Sequence, residues 1–235
     1  MATDAKKALR SEINQKLAAL SERDVWTQSR KAQNVILDLP EYRKARRVGI
    51  YLSMPKSEAQ TSGLVPDSLW TGKEVFVPYI YSLGTEKPKT KVMDMLQLNG
   101  LDDYGQLESD GWGIPTLPKE GLDERQNAMG FKGRSMADDG TSKDVDGQSS
   151  GGLDLIVVPG VAFDSDMNRM GHGAGFYDKF LTRFTENGKR KKPYLVGLCL
   201  AEQILPTGKL VVQDWDWKVD AVACGDGTLL TPDSQ

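Results

Sequence analysis

The 235-residue sequence has few of the side chains on which disulfide frameworks and metal sites depend. Its two cysteines, Cys199 and Cys224, are too few and too far apart to indicate a disulfide framework or a structural zinc site. They are typical of a reducing compartment, where cysteines serve as small buried hydrophobic residues. Because His172 is the single histidine, no Ser-His-Asp or Cys-His arrangement for nucleophilic catalysis is apparent.

The sequence also lacks an excess of positive charge and a long apolar run. Its formal net charge is −3, whereas nucleic-acid-binding domains usually carry a basic patch or stripe. The apolar stretch at residues 153–163 is interrupted by Pro159 and Gly160 and is too short to cross a bilayer. Residues 1–10 contain no apolar segment of a secretory signal. We therefore predict a cytoplasmic protein with neither a nucleic-acid nor a membrane partner.

Apolar residues at helical spacing characterise the first forty residues. Leu9, Ile13 and Leu17 recur at this spacing and predict a first helix. Ser21 begins a pattern that resembles a capping box and predicts the start of a second helix, which Pro40 ends.

Beyond these helices, short apolar runs alternate with helical stretches. The runs predict strands at residues 48–52, 74–79, 91–98, 153–158, 194–200 and 219–224, and helices at residues 62–70 and 174–184. Alternating strands and helices imply βαβ units. We predict a three-layer α/β fold with a mainly parallel, Rossmann-like sheet flanked by helices and preceded by N-terminal helices, in a single domain of residues 1–235.

Residues 121–152 differ in composition from the rest of the chain. They are rich in Gly, Ser, Asp and Lys and poor in aromatic and branched side chains. Such a segment cannot bury enough apolar surface to order itself. We predict a flexible surface insertion within the domain, most clearly at residues 133–152, with a lid over the site as the alternative.

A glycine-rich segment at residues 169–178 follows the most apolar predicted strand and precedes a predicted helix. In open α/β sheets, ligands bind at the carboxyl ends of the strands. Glycines let backbone N–H groups approach phosphate oxygens, and a helix N-terminus adds favourable partial charge. Arg169 can bind a phosphate bidentately, and Asp178 can hold Mg²⁺ together with phosphate oxygens. Taken alone, the glycines equally fit a tight strand-to-helix turn.

Several blocks of sequence occur in the order found in one enzyme family and cover most of the chain outside the insertion. They are Lys-Lys-Ala-Leu-Arg at residues 6–10, Tyr-Leu-Ser-Met-Pro at 51–55 with Glu58 and Thr61 beyond it, Trp-Gly-Ile-Pro at 112–115, residues 153–163 leading into Asn-Arg-Met-Gly-His-Gly-Ala-Gly-Phe-Tyr-Asp at 168–178, and Asp-Trp-Lys-Val-Asp at 216–220. In these blocks the sequence resembles the 5-formyltetrahydrofolate cyclo-ligases, also called methenyltetrahydrofolate synthetases.

The resemblance implies an ATP- and Mg²⁺-dependent conversion of 5-formyltetrahydrofolate into 5,10-methenyltetrahydrofolate, with release of ADP and phosphate. The formyl oxygen is a poor leaving group, and phosphorylation makes it a good one, so that ring closure can expel phosphate. Phosphoryl transfer depends mainly on positioning and charge stabilisation. The resemblance also implies a scaffold related to the sugar-phosphate isomerases and CoA-transferases. We expect a monomer whose partners are ATP and the folate.

The resemblance implies a set of site residues. For ATP they are Lys6, Lys7, Ala8, Leu9, Arg10, Arg169, Met170, Gly171, His172, Gly173, Ala174, Gly175, Phe176 and Tyr177. For the folate they are Leu52, Glu58, Trp112, His172, Gly173, Ala174, Gly175 and Phe176. Arg169, His172 and Tyr177 are implied to be catalytic, and Asp178 and Asp216 to bind Mg²⁺. Position 174 is often Lys or Gly in the family. Because Ala174 has no charge, the arginines and Lys6 must neutralise more of the phosphate charge.

Several of these residues have a structural alternative. His172 is as well explained by a hydrogen-bonded structural role as by a contact with substrate or phosphate. Glu58 is either a solvated loop carboxylate or an acceptor for pterin N–H groups. Trp112 is either core or the wall of a pterin pocket, and Asp216 is either an exposed turn residue or a metal ligand. The basic residues of the first helix form a solvated face unless two of them meet a phosphate.

Two other functions remain open from the sequence. A non-catalytic relative that binds folate or nucleotide as a regulator would keep the same fold. Another enzyme on a related scaffold, such as a sugar-phosphate isomerase, would need a base for proton abstraction, and no motif presents one.

Overall fold

The computed structural model describes residues 2–84, 89–136, 151–186 and 190–232. Two helices open the chain, α1 (Ala2–Ala18) and α2 (Glu22–Asp38). Ser21 caps α2, since its hydroxyl oxygen accepts a hydrogen bond of 3.1 Å from the Asp24 N–H. Both predicted helices are confirmed, and Pro40 begins a short third helix, α3 (Pro40–Lys44), as the rigid φ of proline favours at a helix start.

The described residues form twelve strands and three further α-helices. The strands are β1 (Arg47–Ile50), β2 (Glu74–Leu83), β3 (Thr90–Leu98), β4 (Glu108–Ser109), β5 (Pro115–Thr116), β6 (Leu155–Val158), β7 (Ala162–Asp164), β8 (Arg169–Met170), β9 (Tyr194–Cys199), β10 (Ile204–Leu205), β11 (Ala221–Cys224) and β12 (Leu229–Leu230). The helices are α4 (Leu64–Trp70), α5 (Leu101–Gly105) and α6 (Phe176–Thr185), with short 3₁₀ turns at Leu122–Glu124 and Ala201–Gln203.

A seven-stranded sheet organises the molecule in the order β12-β11-β9-β6-β1-β2-β3. The four inner pairings are parallel, whereas the edge strands β3 and β12 run antiparallel to β2 and β11. Strand β6 is central and wholly buried. The carboxyl ends of the parallel strands therefore meet at one edge, where the segment after β6 begins. The predicted α/β fold with a mainly parallel sheet is confirmed, and β3 forms one edge of the sheet.

Helices pack against the sheet along its length. Helix α2 contacts β9 and β11, α4 contacts β2, and α6 contacts β3. None of the helices in the described part of the chain is long and apolar enough to span a membrane. The predicted kinship with the isomerase and CoA-transferase scaffolds stays a prediction.

The first half of the predicted insertion packs along the edge strand β3. Residues 121–136 bury Leu122 and Ala128, and the Ala128 N–H donates to the Met95 carbonyl at 2.9 Å. The Ser135 N–H and hydroxyl both donate to the buried carboxylate of Asp94 at 2.6 Å. These residues therefore differ from the expected surface insertion, because hydrogen bonds to an edge strand supplement their small apolar surface. Residues 137–150 lie outside the described residues, and their flexibility stays a prediction.

Candidate functional site

The glycine loop, residues 171–175, joins β8 to α6 above the end of the central strand. Strands β8, β7 and β10 form a small three-stranded sheet that presents Arg169. Gly173 and Gly175 have φ angles of 107° and 66°, which favour glycine, and a Cβ on Gly173 would lie 3.4 Å from the Arg10 guanidinium carbon. No side chain caps α6 at Gly175. The first N–H groups of α6 thus lack a side-chain partner at the loop, as at helix N-termini that bind anions.

A cationic cavity of about 310 Å³ lies on one side of the glycine loop. Four cationic side chains line it, those of Lys6, Arg10, Arg169 and Lys179. The Arg10 Nε donates to the Gly171 carbonyl at 2.8 Å, and the Lys179 ammonium donates to the Ala174 carbonyl at 3.3 Å. Helix α1 thus presents two basic residues one turn apart, Lys6 and Arg10, to the cavity.

Two carboxylates line the same cavity, and each is paired with a cation. Arg169 Nη2 donates to both carboxylate oxygens of Asp178 at 2.9 Å, and the Trp217 N–H donates to one of them at 3.0 Å. Lys6 donates to Asp216 at 2.8 Å. Among the described residues, no carboxylate pairs with Arg10 or Lys179. The cavity therefore has uncompensated positive charge and suits an anion.

An apolar cavity of about 290 Å³ lies on the other side of the loop. Its walls include the apolar side chains of Leu52, Ile80, Met93, Ile114 and Phe176, and the polar ones of Tyr51, Glu58, His172 and Tyr177. The two cavities share Arg169, Gly171, Ala174, Gly175 and Asp178. The two cavities are therefore adjacent, and the residues they share lie at their boundary.

Glu58 and Tyr177 place buried polar groups inside the apolar cavity. Glu58 is 7% exposed, and burial raises its pKa to about 7, although the Met54 N–H donates to its carboxylate at 2.9 Å. The buried Tyr177 hydroxyl has no hydrogen-bond partner among the described residues. Burial and the neighbouring Glu58 raise the pKa of Tyr177. Buried groups of this kind are costly unless a ligand completes their hydrogen bonds.

His172 lies at the rim of the apolar cavity with its side chain partly open to solvent. Desolvation by its surroundings, together with the positive charges of Arg10 and Arg169, lowers the pKa of His172. The imidazole is therefore neutral at pH 7 and can accept a proton.

The structure brings most of the residues implied by the resemblance to these two cavities, but not all. Met170 and Gly173 line the cationic cavity, and Leu52 and Phe176 the apolar one. On α1, Lys7 and Ala8 are exposed and line neither cavity, and Leu9 packs against the core.

Trp112 is 79% exposed and lines neither cavity. It occupies a turn in which the Asp110 carboxylate accepts hydrogen bonds from the N–H groups of Trp112 and Ile114. Asp110 and Ile114, on either side of the tryptophan, do line the apolar cavity. The block containing Trp112 thus reaches the cavity through its neighbours.

Several residues that line the cavities, among them Lys179, Trp215 and Tyr51, were not selected from the sequence. Lys179 follows Gly175 by one helical turn, and this spacing was a usable signal. Trp215 directly precedes Asp216 and carried a signal of its own as an aromatic residue beside a predicted ligand. Tyr51 precedes Leu52 in the Tyr-Leu-Ser-Met-Pro block and also lines the apolar cavity. Because neighbouring residues of a strand point to opposite faces, the sequence pattern gave no reason to select both. Its hydroxyl donates to the Ala59 carbonyl.

The donor set fits Mg²⁺ that arrives with a polyphosphate. The described residues contain no cluster of three His, Cys, Asp or Glu side chains that could hold a resident metal ion. Asp178 and Asp216 nevertheless line one cationic cavity, with side chains 15% and 18% exposed. Mg²⁺ commonly binds one or two carboxylates together with phosphate oxygens.

Fold and site together define an α/β protein in which a glycine loop after the central strand separates a cationic cavity from an apolar one. Residues 2–225 match the model of the 5-formyltetrahydrofolate cyclo-ligase family. The chain belongs to this family, and the resemblance inferred from its sequence is confirmed.

Individual relatives extend this match over nearly the whole chain. The 5-formyltetrahydrofolate cyclo-ligase of Mus musculus is 34% identical, with 94% of each chain covered. A probable 5-formyltetrahydrofolate cyclo-ligase of Schizosaccharomyces pombe is 30% identical, with 92% of this chain and 93% of the relative covered. The NMR structure of Aquifex aeolicus 5,10-methenyltetrahydrofolate synthetase has a TM-score of 0.65 and 26% identity, covering 98% of this chain and 94% of that one.

Proposed function

We propose that the protein uses ATP and Mg²⁺ to convert 5-formyltetrahydrofolate into 5,10-methenyltetrahydrofolate, with release of ADP and phosphate. The observation that carries this proposal is the shared wall between the two cavities, built from Arg169, the glycine loop and Asp178. Phosphoryl transfer from a nucleotide to a formyl group requires both substrates to be held side by side with their reacting atoms in contact.

The cationic cavity supports binding of the triphosphate. Arg10 and Lys179 have no carboxylate partner among the described residues, and the N-terminus of α6 opens at Gly175. An anion here is favoured by both side-chain charges and by the N–H groups of the helix. Lys179 also supplies a positive charge beside Ala174, where many family members have lysine. Mg²⁺ bound with the nucleotide would be held by Asp178 and Asp216 and would neutralise phosphate charge.

The apolar cavity supports binding of the reduced pterin. Its aliphatic walls suit a flat ring, and Glu58 offers two carboxylate oxygens to ring N–H groups. The Tyr177 hydroxyl, which has no partner among the described residues, offers a further hydrogen bond. A ligand that donates to Glu58 would offset the cost of its burial.

The residues present can assist both steps of the proposed reaction. The formyl oxygen attacks the terminal phosphorus of ATP and ADP leaves, while Arg169 stabilises the charge that develops between the cavities. The N10 amine then attacks the formyl carbon and loses its proton, and the phosphate departs with the former formyl oxygen. We expect neutral His172, which lines the apolar cavity at its rim, to accept the N10 proton.

We also propose that the protein acts as a cytoplasmic monomer. Both cysteines are free, as in a reducing compartment. Residues of one chain line both cavities, so the proposed site needs no second subunit.

Turnover of the folate tests the proposed function directly. Wild-type protein with 5-formyltetrahydrofolate and MgATP is expected to produce the near-UV absorption of the methenyl product and one ADP per product. Omission of ATP is the control and should abolish the signal. Folded protein that binds both substrates but forms no product would instead support the non-catalytic alternative.

Replacing Asp216 by Asn is expected to raise the Mg²⁺ concentration for half-maximal velocity by about tenfold, because one carboxylate at the phosphate cavity is lost. Asp216→Asn is a cleaner test than Asp178→Asn, since Asp178 also balances the charge of Arg169, whose side chain is only 5% exposed. Asp214→Asn is the matched control, because Asp214 is exposed and lines neither cavity. Equal Mg²⁺ requirements for the two variants would reject the metal assignment.

A further inference from the structure

Trp215 is a large aromatic side chain whose exposure the fold does not explain. Its side chain is 65% exposed, yet it lines the cationic cavity directly beside Asp216. Among the described residues that line this cavity, it is the single aromatic one. An exposed tryptophan leaves a large apolar face in water, and such faces commonly serve in binding.

The backbone on both sides of Trp215 is held in place. The Asp216 N–H donates to the Gln213 carbonyl at 2.9 Å, and the Gln213 N–H donates to the Asp216 carboxylate at 3.0 Å. On the other side, Trp217 donates from its N–H to Asp178 and from its indole N–H to the Thr182 hydroxyl, both at 3.0 Å. Trp215 therefore lies on a turn that is fixed before any ligand binds, which limits the entropy lost on binding.

The rest of the cationic cavity suits phosphate and offers little to a base. Its other described walls consist of cationic and carboxylate side chains, Gln213, Met170 and the glycine loop. A triphosphate bound at Arg10, Lys179 and the start of α6 leaves its nucleoside without a flat surface, except at Trp215. Base stacking on an aromatic side chain is the common solution in nucleotide-binding sites, and stacking strength differs among bases.

We propose that Trp215 is the stacking platform for the base of the nucleotide and favours purine over pyrimidine triphosphates. This inference rests on the proposed nucleotide site in the cationic cavity. It makes Trp215 a determinant of base affinity that has no part in the phosphoryl transfer itself.

Replacement of Trp215 separates base binding from phosphate binding. Trp215→Ala is expected to raise the KM for ATP by about tenfold, and Trp215→Phe by about threefold or less, because a phenyl ring keeps part of the stack. The preference for ATP over CTP should fall in Trp215→Ala. Inhibition by inorganic tripolyphosphate, which has no base, should stay within about twofold of wild type. Trp70→Phe is the matched control, since Trp70 is 81% exposed at the end of α4 and lines neither cavity.

Two results would overturn the assignment of Trp215. One is an unchanged KM for ATP in Trp215→Ala. The other is a loss of tripolyphosphate binding as large as the loss of ATP binding, which would mean that Trp215 contacts the phosphates. Equilibrium binding of ATP and tripolyphosphate to wild type and Trp215→Ala gives the same decision without turnover. If wild type forms no methenyl product, only the proposed function is contradicted. If wild type turns over normally and Trp215→Ala has the same KM for ATP, only the stacking role of Trp215 is contradicted.

Discussion

Arg169→Lys is expected to lower kcat/KM by at least about a hundredfold, as loss of a group that stabilises developing charge commonly does. Arg169 is 8% exposed and borders both cavities. Its guanidinium binds both oxygens of Asp178 through Nη2 and the Pro159 carbonyl through Nη1. Its centre also lies 5.7 Å from the centroid of the Tyr177 ring. Lysine keeps the charge but lacks the planar fork, so it cannot hold Asp178 and face the transferred phosphoryl group together.

Arg183→Lys provides a matched comparison for Arg169→Lys. Arg183 also donates to a buried carboxylate, Asp94 at 2.8 Å, but it lines neither cavity. We expect Arg183→Lys to lose about 1 kcal/mol of unfolding free energy and little of kcat. Denaturant unfolding and steady-state kinetics of both variants decide the issue. Near-wild-type turnover of Arg169→Lys, or equal kinetic losses in the two variants, would remove Arg169 from the catalytic machinery.

The regular elements of the fold were predictable from the sequence because their patterns are local. The apolar run at residues 153–158 marks the central strand β6, and the Ser21 cap marks the start of α2. Strands β7, β8 and β10 escaped prediction because they are two or three residues long and form through long-range pairing. Their small sheet positions Arg169. The sequence therefore predicted Arg169 as a site residue but did not predict the strands that hold it.

Local patterns cannot decide which member of a motif faces a cavity. Trp112 and Trp215 each lie beside residues that do line a cavity, but Trp112 is exposed outside both cavities and Trp215 lines the cationic one. The direction of each indole depends on the turn that carries it and on the packing of distant elements. For the same reason, composition alone missed the hydrogen bonds that hold residues 121–136 on β3.

Glu58→Gln is expected to raise the KM for the folate by about 10- to 100-fold, because an amide replaces a charged acceptor of ring N–H groups with a neutral one. The KM for ATP should change by less than about threefold, since Glu58 lines only the apolar cavity. In the wild type, kcat/KM for the folate should rise as the pH passes about 7, where Glu58 becomes ionised. Equal losses for folate and ATP would show that Glu58 has a different role.

Glu58→Gln should weaken folate binding, but at high pH it should make the folded protein more stable relative to wild type. Burial raises the pKa of Glu58 from 4.5 to about 7, so between these values the folded protein binds more protons than the unfolded chain. Wild-type stability is therefore lost as the pH rises through this window, by about 3 kcal/mol in total, and Glu58→Gln escapes this loss. We expect the stability of Glu58→Gln relative to wild type to improve by about that amount between pH 4.5 and 8 in urea unfolding. A constant difference would mean that Glu58 has the same pKa in the folded and the unfolded protein, so that its burial carries no cost. The apolar cavity would then have no need of a ligand to satisfy it.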